Sequence, residues 1–371
     1  MLSDAMSKLI YDIDITLVGE DGLVAAPEYD PLTHYLEVAR SPYFRHLIDF
    51  RHIIKALCDG YMSETIGAKS IDLFMLTPSV SSPMGPGSDS EAIPIKFGKL
   101  TSYLTDSSQF GFEPIIMSGV EKAYCYLPSM RGEDPDKRHL NQFFHCEAEI
   151  RGDLEDIMDL AENYVKYLSF GVMEMPHLLG KISKNPNISH QIAQLTAQTK
   201  KFKRITFDDA CKLLEDNGYG EYVNTTPKGR DISSKGELAL MSILKLKVPI
   251  WITHFDRNRV PFYQKPDPKN PTKVLNADLL FPPIMEGSFG GEILGAGQRQ
   301  DTAAEMYESL QEQGLSSHAY EWYIDLRNDK RYMMTSGFGL GIERYIAWIL
   351  GLDNIQDAIL YPRLKNVLTT P

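Results

Sequence analysis

Cysteine is scarce in this sequence. The 371 residues include only four cysteines, at Cys58, Cys125, Cys146 and Cys211. None of them stands in a C-x-x-C pair, and none has a histidine at the spacing of a zinc finger. This pattern argues against a disulfide framework and against a structural zinc site. We therefore expect four reduced cysteines in a cytoplasmic protein.

Long apolar runs and an excess of basic charge are also missing. Apolar runs such as 345–350 are much shorter than the roughly 20 residues of a membrane-spanning helix, so no membrane partner is expected. The 38 basic residues are outnumbered by 50 acidic residues, which gives a formal net charge of −12. Such a charge argues against broad, non-specific binding to nucleic acid or to anionic membranes. What remains is an ordinary globular composition, with 43% apolar and 24% charged residues.

The order of the predicted elements indicates an α+β fold. Helical spacing of apolar residues predicts helices over 45–61, 114–120, 154–170, much of 171–245, and from about Gly341 onward. Short apolar or alternating segments predict strands at 71–76, 93–97, 100–104, 124–130, 142–150, 249–254, 274–281 and 320–326. These strands do not alternate regularly with helices, so we expect a meandering sheet. The predicted domain division is a short lead segment, 1–40, and one large domain, 41–371.

A charged and aromatic hairpin is the first candidate site. A side-chain period of two would place Arg131 and Glu133 on one face of a strand, with Phe143 and Glu147 on the matching face of the next. An arginine suits a phosphate, an aromatic ring suits a base, and a carboxylate suits an amine. These residue types favour a nucleotide site. They would fit a salt-bridged surface hairpin equally well.

A glycine-rich segment at 336–344, which ends in Arg344, is the second candidate. Glycines allow a ligand to approach the backbone closely, and the start of the following helix would face that ligand. The alternative is an ordinary packed turn between a strand and a helix.

Two acidic residues form the third candidate. Asp278 and Glu292 lie in neighbouring strand-like segments, and Arg299 follows a glycine-interrupted stretch. Two carboxylates on adjacent strands could hold Mg²⁺, which prefers oxygen ligands and shares them with phosphates. The alternative is a pair of ordinary strand carboxylates.

Taken in order, these segments resemble the catalytic core of the class II aminoacyl-tRNA synthetases, and most of all its asparaginyl branch. The resemblance runs from about residue 40 to about residue 365. The matching segments are Thr77-Pro78, 131–133 with 138–143, 291–295 with 298–299, 322–327, and 336–344 continued to 361–363. The resemblance implies an antiparallel sheet flanked by helices and an ATP-dependent ligase that forms an acyl-adenylate.

An ATP site is the first implication of the resemblance. Its residues would be Arg131, Glu133, Arg138, His139, Phe143, Glu292 and Arg344. Arg131 would contact the α-phosphate and the reacting carboxylate, and Arg131 and Arg344 would be the catalytic groups that stabilise developing charge. Phe143 and Arg344 would enclose the adenine, near Glu133, while Arg138 and His139 would reach the outer phosphates. Asp278 and Glu292 would hold Mg²⁺.

An amino-acid pocket is the second implication. It would be formed by Ser107, Gln109, Glu113, Glu147 and Arg299. The first two residues and Glu147 would line the pocket and hold the ammonium group, while Arg299 would meet the side-chain carbonyl. Glu113 agrees with the asparaginyl branch, where an acidic group suits an amide NH₂.

Three features depart from the pattern of the family near this pocket. Phe112 stands where the aspartyl branch would have a lysine, and Thr335 stands where the asparaginyl branch usually has a histidine. The stretch 283–290 is longer than the tight turn of the family. The identity of the activated carboxylate therefore stays open.

The acceptor of the acyl group is a separate question. About forty residues precede the resemblance, too few for the five-stranded anticodon-binding barrel of this branch, even if 10–18 adds one strand. We expect a paralogue that transfers the acyl group to a small amine, with ammonia the simplest candidate, as asparagine synthetase-like relatives do. The alternatives are asparaginyl- or aspartyl-type tRNA aminoacylation through acceptor-stem contacts, with the basic stretch 200–204 as a candidate patch, and a non-catalytic binding protein.

Two expectations concern the surroundings of the site. The turn-rich loop 79–90 is expected to fold over the adenylate and exclude water. A homodimer is expected through the helix near 47–57 and the strand that ends at Pro78.

Overall fold

A mainly antiparallel sheet of eight strands forms the centre of the protein. The computed structural model describes residues 2–19, 22–81 and 91–370, so most of the predicted lid loop 79–90 lies outside the described residues. The strands are β1 Lys69–Ser70, β2 Leu76–Thr77, β3 Pro94–Phe97, β4 Leu100–Leu104, β5 Lys122–Met130, β6 Gln142–Arg151, β7 Lys203–Thr206, β8 Val223–Thr226, β9 Gly229–Ile232, β10 Ile250–Thr253, β11 Pro266–Asp267, β12 Asn270–Val274, β13 Asn276–Phe281, β14 Gly291–Gln298 and β15 Thr335–Gly341. The sheet order is β1-β5-β6-β15-β14-β13-β10-β7, with parallel pairing at the two outer pairs. This arrangement confirms the predicted α+β class.

The helices flank this sheet. They are α1 Asp4–Asp14, α2 His34–Arg40, α3 Pro42–Asp59, α4 Phe112–Met117, α5 Leu154–Met173, α6 Pro176–Ile182, α7 Pro186–Gln198, α8 Phe207–Asp216, α9 Ser234–Ile243, α10 Ala303–Gln313, α11 Glu321–Ile324 and α12 Ile342–Leu350. α5 begins at a capping box in which Asp153 and Asp156 bond to each other's backbone N–H groups, a cap that stabilises a helix by about 1 kcal/mol. α12 ends at Gly351, whose φ of 67° is the left-handed conformation that glycine adopts easily.

The central strands of the sheet are covered by helices on one face, whereas the other face is covered only at its sides. α5 and α12 contact the first face, and α3 packs on α5. On the second face, Phe112 and Ile116 of α4 pack against β5, while Phe207 and Leu240 of α8 and α9 pack against β10. The middle of the second face stays open between these two groups of helices.

The segment 320–326, predicted as a strand, is helical. It contains α11 between two 3-10 turns. Tyr320, Tyr323 and Ile324 enter one apolar cluster with Phe110. Their spacing of three and four residues is that of a helix face, but the segment is too short for the sequence alone to distinguish it from a strand.

Two other predicted strands are also corrected. Of 71–76, only the last residue lies in a strand, because the chain pairs just before this segment in β1 and again at its end in β2. The segment 10–18 lies in α1 and a following 3-10 turn. The remaining predicted strands are found within a few residues of their expected places, as are the helices, although 171–245 also contains β7 and the hairpin β8–β9.

Two predicted absences can be compared with the structure. All four cysteines are buried and carry free thiols. Among the described residues, none of the helices combines the length and the apolar character needed to cross a bilayer.

Candidate active site

Four glycines occupy the centre of the open face of the sheet. β14 and β15 lie side by side, with Gly295 opposite Gly339 and Gly297 opposite Gly337. Because alternate residues of a strand face the same side, all four glycines lie on the open face. The residues between them point into the core. We call the concave surface over these four glycines the trough.

Strand register places carboxylates along both sides of the trough. Asp278 of β13 pairs with Gly295, and Glu147 of β6 pairs with Gly339. One row further along, Glu149 of β6 pairs with Gly337. A cavity of about 590 Å³ lies over the trough, a size typical of small-molecule sites. Among the residues that line it are Ser107, Gln109, Arg131, Glu147, Asp278, Glu292 and Arg299, all predicted from the sequence.

At one end of the trough, Glu147 is held firmly in place. It accepts hydrogen bonds from the Ser107 hydroxyl at 2.5 Å and the Ser108 backbone N–H at 2.8 Å, and His145 Nδ1 lies 3.4 Å away. Burial alone would raise the pKa of Glu147, but His145 and the two serine donors outweigh burial and keep the pKa below its ordinary value. The carboxylate is therefore negative at neutral pH, as a group that binds an ammonium must be.

Arg299 lies beside Glu147 and is paired with Glu149. Its Nε and Nη2 donate to the two carboxylate oxygens at 3.0 and 2.7 Å, and both side chains are almost completely buried. Burial would lower the pKa of Arg299, but the charge and hydrogen bonds of Glu149 raise it instead. The pair is thus a fixed, charge-balanced unit. We call the region around Ser107, Gln109, Glu147, Glu149 and Arg299 the amino-acid end.

The opposite end of the trough opens into a second, smaller cavity of about 80 Å³. Its lining includes all seven residues predicted for ATP, namely Arg131, Glu133, Arg138, His139, Phe143, Glu292 and Arg344. Arg131, Glu292 and His145 border both cavities. The Arg131 guanidinium lies over the Phe143 ring, 5.3 Å from its centre. We call this region the nucleotide end.

The predicted placement of Arg131 and Glu133 on a strand is wrong. β5 ends at Met130, and the chain then leaves the sheet. Arg131 is anchored instead by its backbone, since its N–H donates to the Asn141 carbonyl at 3.0 Å. The prediction for the next strand is confirmed, because Phe143 and Glu147 lie on one face of β6.

Arg138 is positioned by the stretch 283–290. Its guanidinium lies over the Phe289 ring, 4.9 Å from the centre, and donates to the Gly290 carbonyl. On its other side, Nη2 is 3.8 Å from Glu237. The stretch 283–290 therefore supports a residue expected to reach the outer phosphates.

Asp278 and Glu292 meet above Gly295. A Cβ added to this glycine would lie 3.4 Å from Asp278 Oδ1 and 3.6 Å from Glu292 Oε1. Burial, followed by the charges of Glu292 and Glu237, raises the pKa of Asp278 well above its ordinary value. Crowded oxygen donors of this kind fit a divalent cation. Because the described residues contain no group of three or more His, Cys, Asp or Glu side chains that could hold a metal ion, phosphate and water oxygens would complete the coordination of Mg²⁺.

Glu113 occupies a different place from the one expected. It is fully buried, with an oxygen 2.7 Å from Arg327 Nη2, and it accepts a hydrogen bond from the Tyr323 hydroxyl. Among the described residues, its neighbour Phe112 lines the large cavity and Glu113 does not. Its carboxylate is satisfied inside the protein, so the predicted contact with a substrate amide is corrected to a structural role behind the pocket.

Several residues of the site were not predicted from the sequence, among them four with polar side chains. Tyr263, Gln264, Glu149 and Glu237 all line the large cavity. Only Glu149 carried a usable signal, since it continues the period of two from Phe143 through Glu147. The other three approach from segments whose proximity to the trough is a tertiary property.

Comparison with known proteins places this geometry in a family. The family described as "tRNA synthetases class II (D, K and N)" matches residues 28–365. The chain is 34% identical over 276 residues to the asparagine–tRNA ligase of Thermococcus gammatolerans, covering 74% of this chain and 60% of that protein. It is 36% identical over 267 residues to the asparagine–tRNA ligase of Pelotomaculum thermopropionicum, covering 71% and 57% respectively.

Solved structures agree with the sequence matches. The asparaginyl-tRNA synthetase of Pyrococcus horikoshii, complexed with asparaginyl-adenylate, superposes with a TM-score of 0.81 at 28% identity over 93% of this chain and 74% of that chain. A putative aspartyl-tRNA synthetase from Leishmania major shares the fold, with a TM-score of 0.71 at 17% identity over 95% and 71%. The chain spans about 60% of the length of the asparagine–tRNA ligases that it matches.

Proposed function

The chain belongs to the class II tRNA synthetases of the D, K and N group, and we propose from this premise that it activates an amino-acid-like carboxylate with ATP. The products of the proposed step are an acyl-adenylate and pyrophosphate. The observation that carries the proposal is the continuity of the trough, whose amino-acid end and nucleotide end share Arg131 as a common wall.

The chemistry requires positioning more than a protein nucleophile. A carboxylate oxygen of the amino acid attacks the α-phosphorus, and the bond to the bridging oxygen of the β-phosphate breaks as pyrophosphate leaves with the electron pair. Glu147 would hold the ammonium group of the amino acid. This contact would also fix the position of the carboxylate, because both groups are bonded to the same α-carbon. The Gly295–Gly339 row would supply the close approach, because these two residues add no side chain to the floor beneath the substrates.

Arg131 and Arg344 would stabilise the negative charge that develops at the α-phosphate. Arg344 donates to the Glu292 carbonyl at 3.1 Å and lies 3.4 Å from its carboxylate, so its guanidinium is already oriented. Asp278 and Glu292 would hold Mg²⁺, which would neutralise phosphate charge when bound. Arg138 would contact the outer phosphates from its place on Phe289.

ATP–pyrophosphate exchange across a panel of amino acids tests this proposal, because it isolates the first half-reaction. We expect exchange that depends on one amino acid, or on a small group of them. Absence of exchange with every member of the panel at millimolar concentration would favour the non-catalytic alternative.

For the second step we propose a small amine as acceptor, with ammonia the simplest candidate. The amine nitrogen attacks the acyl carbon, the bond to AMP breaks, and the nitrogen loses a proton. The net charge of −12 supports this choice. So does the basic stretch 200–204, where Arg204 is paired with Glu155 and Asp159 and Lys201 lies 3.5 Å from Asp159. Cations that are already engaged in this way are less available to phosphates.

Transfer of the acyl group to tRNA is the second candidate. It is favoured by the similarity of the chain to proteins named asparagine–tRNA ligases. The discriminating experiment supplies ATP, the preferred amino acid and either total tRNA or ammonium, and follows the acyl product. Amide formed with ammonium supports the small-amine proposal. Efficient tRNA charging with no amide would overturn it.

We also propose that the protein is a homodimer. A groove of about 350 Å³ runs beside α3, and its apolar lining includes Ile48, Tyr126, Phe144 and Leu360. Ile48 is 36% exposed, whereas most other apolar residues of α3 are buried, and an exposed apolar residue in a groove is typical of a surface covered by a partner. Sedimentation should show a dimer at micromolar concentration, and a monomer there would contradict the proposal.

A further inference from the structure

His145 lies where the two ends of the trough meet. Four of the described residues border both cavities, namely Arg131, His145, Glu292 and Gly339. An acyl-adenylate joins an amino acid to a nucleotide, so its acyl carbon and α-phosphate would lie beside these four residues. Arg131 and Glu292 have proposed roles toward phosphate and Mg²⁺, and Gly339 belongs to the floor. His145 has no role in the proposed adenylation.

The imidazole ring of His145 is held along one edge. Its Nδ1 lies 2.9 Å from Ser129 Oγ and 3.4 Å from Glu147 Oε1. The Phe143 ring meets it edge to face, with the ring centres 4.8 Å apart. Because Phe143, His145 and Glu147 alternate along β6, all three lie on the open face of the sheet.

The contact with Glu147 fixes which ring nitrogen carries the proton. The Glu147 carboxylate is negative, because its pKa lies below the ordinary value, and it can only accept hydrogen bonds. The proton of the neutral imidazole is therefore on Nδ1, which faces Glu147, and Nε2 keeps its lone pair. Nε2 forms no hydrogen bond with the described residues, and it is not one of the unpartnered atoms that are sealed from solvent. The side chain is 14% exposed, so a ligand can reach this atom.

Transfer of the acyl group to an amine needs a proton acceptor, whereas adenylation needs none. The attacking nitrogen carries a proton that it must lose, and a histidine is suited to accept it near neutral pH. The charged groups around His145 are less suited to this task. Arg131 has no lone pair to offer, Glu292 would hold Mg²⁺, and Glu147 is occupied by its serine donors and by the substrate ammonium.

We propose that His145 is the general base of the second step, in which its Nε2 atom takes a proton from the attacking amine. This inference rests on the proposed adenylation and on the proposed transfer to a small amine. The amine enters as the free base, its nitrogen attacks the acyl carbon, and one N–H proton passes to Nε2. The bond between the acyl carbon and the AMP oxygen then breaks, and AMP leaves with the electron pair. The imidazolium is stabilised by Glu147 until it releases the proton to solvent.

The test measures the two steps separately. The protein is incubated with ATP, inorganic pyrophosphatase and the amino acid that supports exchange, and the adenylate complex is isolated by gel filtration. Amide is then followed after mixing with ammonium chloride. His145→Asn keeps a donor at the place of Nδ1 but removes the base. Its rate of amide formation should fall about a hundredfold, within the roughly 10²- to 10⁴-fold contribution of a general base. ATP–pyrophosphate exchange should fall only a few-fold, because Glu147 keeps its two serine donors.

Chemical rescue distinguishes a base from a histidine that only supports the structure. His145→Ala leaves room for a free imidazole molecule beside the acyl carbon. Imidazole in the buffer should therefore raise the rate of amide formation by this variant severalfold, in proportion to the concentration of the neutral form. His318→Asn is the matched control, because it makes the same change on an exposed 3-10 turn. It should alter neither step and should not respond to imidazole.

Different results separate the possible failures. Absence of exchange in the wild type, with every amino acid, overturns the proposed adenylation itself. Exchange without amide formation in the wild type overturns the small-amine acceptor and the role of His145 with it. If the wild type forms amide, a folded His145→Asn variant that forms it at a similar rate, or that loses both steps equally, overturns the role of His145 alone. Should His145→Asn not fold, the response of His145→Ala to imidazole decides the question.

Discussion

The two ends of the trough use charge in opposite ways. At the amino-acid end, Arg299 is paired with Glu149, and behind the pocket Arg327 is paired with Glu113, with all four side chains buried. At the nucleotide end, Arg131 stacks on Phe143, and Arg344 keeps a fifth of its side chain exposed beside Glu292. The arginines of the first end are neutralised by buried carboxylates, while Arg131 and Arg344 at the other end border a cavity.

This difference predicts different consequences for mutation. A buried pair that loses one partner leaves an isolated charge in a region of low polarity, so the folded state is destabilised. A cation that faces a solvent-filled cavity can be removed with little effect on the fold, but the ligand charge that it would stabilise is then unsupported. Stability and activity should therefore separate along the trough.

The largest expected effect is at the amino-acid end. Arg299→Ala should lower the free energy of unfolding by about 3–5 kcal/mol, because Glu149 would be left buried and alone. Urea unfolding followed by circular dichroism measures this loss. The double variant Arg299→Met with Glu149→Gln removes both charges and should recover much of the stability while remaining inactive. If the unfolding free energy of Arg299→Ala lies within about 1 kcal/mol of that of the wild type, the proposed difference between the two ends of the trough is contradicted.

The next effect is at the nucleotide end. Arg131→Ala and Arg344→Ala should each lower ATP–pyrophosphate exchange about a hundredfold or more, since one preorganised charge stabiliser contributes about 3–4 kcal/mol. Their unfolding free energies should stay close to that of the wild type. Near-normal exchange in either folded variant would refute the catalytic roles. Arg131→Lys keeps the positive charge but removes the guanidinium, so it separates the contribution of charge from that of hydrogen-bond geometry.

A smaller effect is expected for Glu237, the buried carboxyl group beside Arg138. Burial, then the charge of Glu292, raises the pKa of Glu237 to about 7 from 4.5, although Arg138 and Arg344 oppose the shift. The pKa of Glu237 is higher in the folded state than in the unfolded state. Its carboxyl group therefore stabilises the fold fully below pH 4.5, and this contribution is lost as the pH rises through 7. Between pH 5 and 8 the wild type should lose about 2–3 kcal/mol more than Glu237→Gln in urea unfolding without nucleotide. The prediction would be contradicted if the unfolding free energies of the wild type and Glu237→Gln changed with pH by the same amount.

The smallest effect lies away from both ends. Arg204→Ala removes exposed ion pairs to Glu155 and Asp159, so stability should change by less than about 1 kcal/mol. Exchange activity should not change. Filter binding of total tRNA at several salt concentrations provides the second readout. A marked loss of salt-dependent affinity in this variant would identify the basic stretch as a tRNA contact and weaken the small-amine proposal.

The parts of the site that follow a local period were predictable from the sequence. The alternation along β6 placed Phe143 and Glu147 on one face, and the same alternation extends to Glu149. Asp278 and Glu292 were paired correctly as carboxylates on adjacent strands, but the register that brings them together was not predictable. The register of β13 and β14 shifts between Leu279 and Leu280, and no residue type in this segment predicts such a bulge.

Contacts between distant segments were beyond local reasoning. Glu113 was assigned to the substrate from the family resemblance, and its partner Arg327, 214 positions away, is a contact that the sequence does not show. Gln264 enters the lining of the large cavity from the segment before β11, and Glu237 enters it from α9. Burial, which decides whether such polar groups face a ligand or each other, is fixed only when these segments pack together.

The four glycines of the floor limit which substitutions this site can accept in evolution. A methyl group on Gly337 would overlap the Glu149 carboxylate and the Arg299 guanidinium, and one on Gly297 would overlap the Gln264 amide. Substitutions are therefore restricted at the floor, whereas the residues that line the walls of the cavity can vary more freely. A lineage built on this sheet can exchange one substrate for another while leaving the surface beneath the reaction untouched.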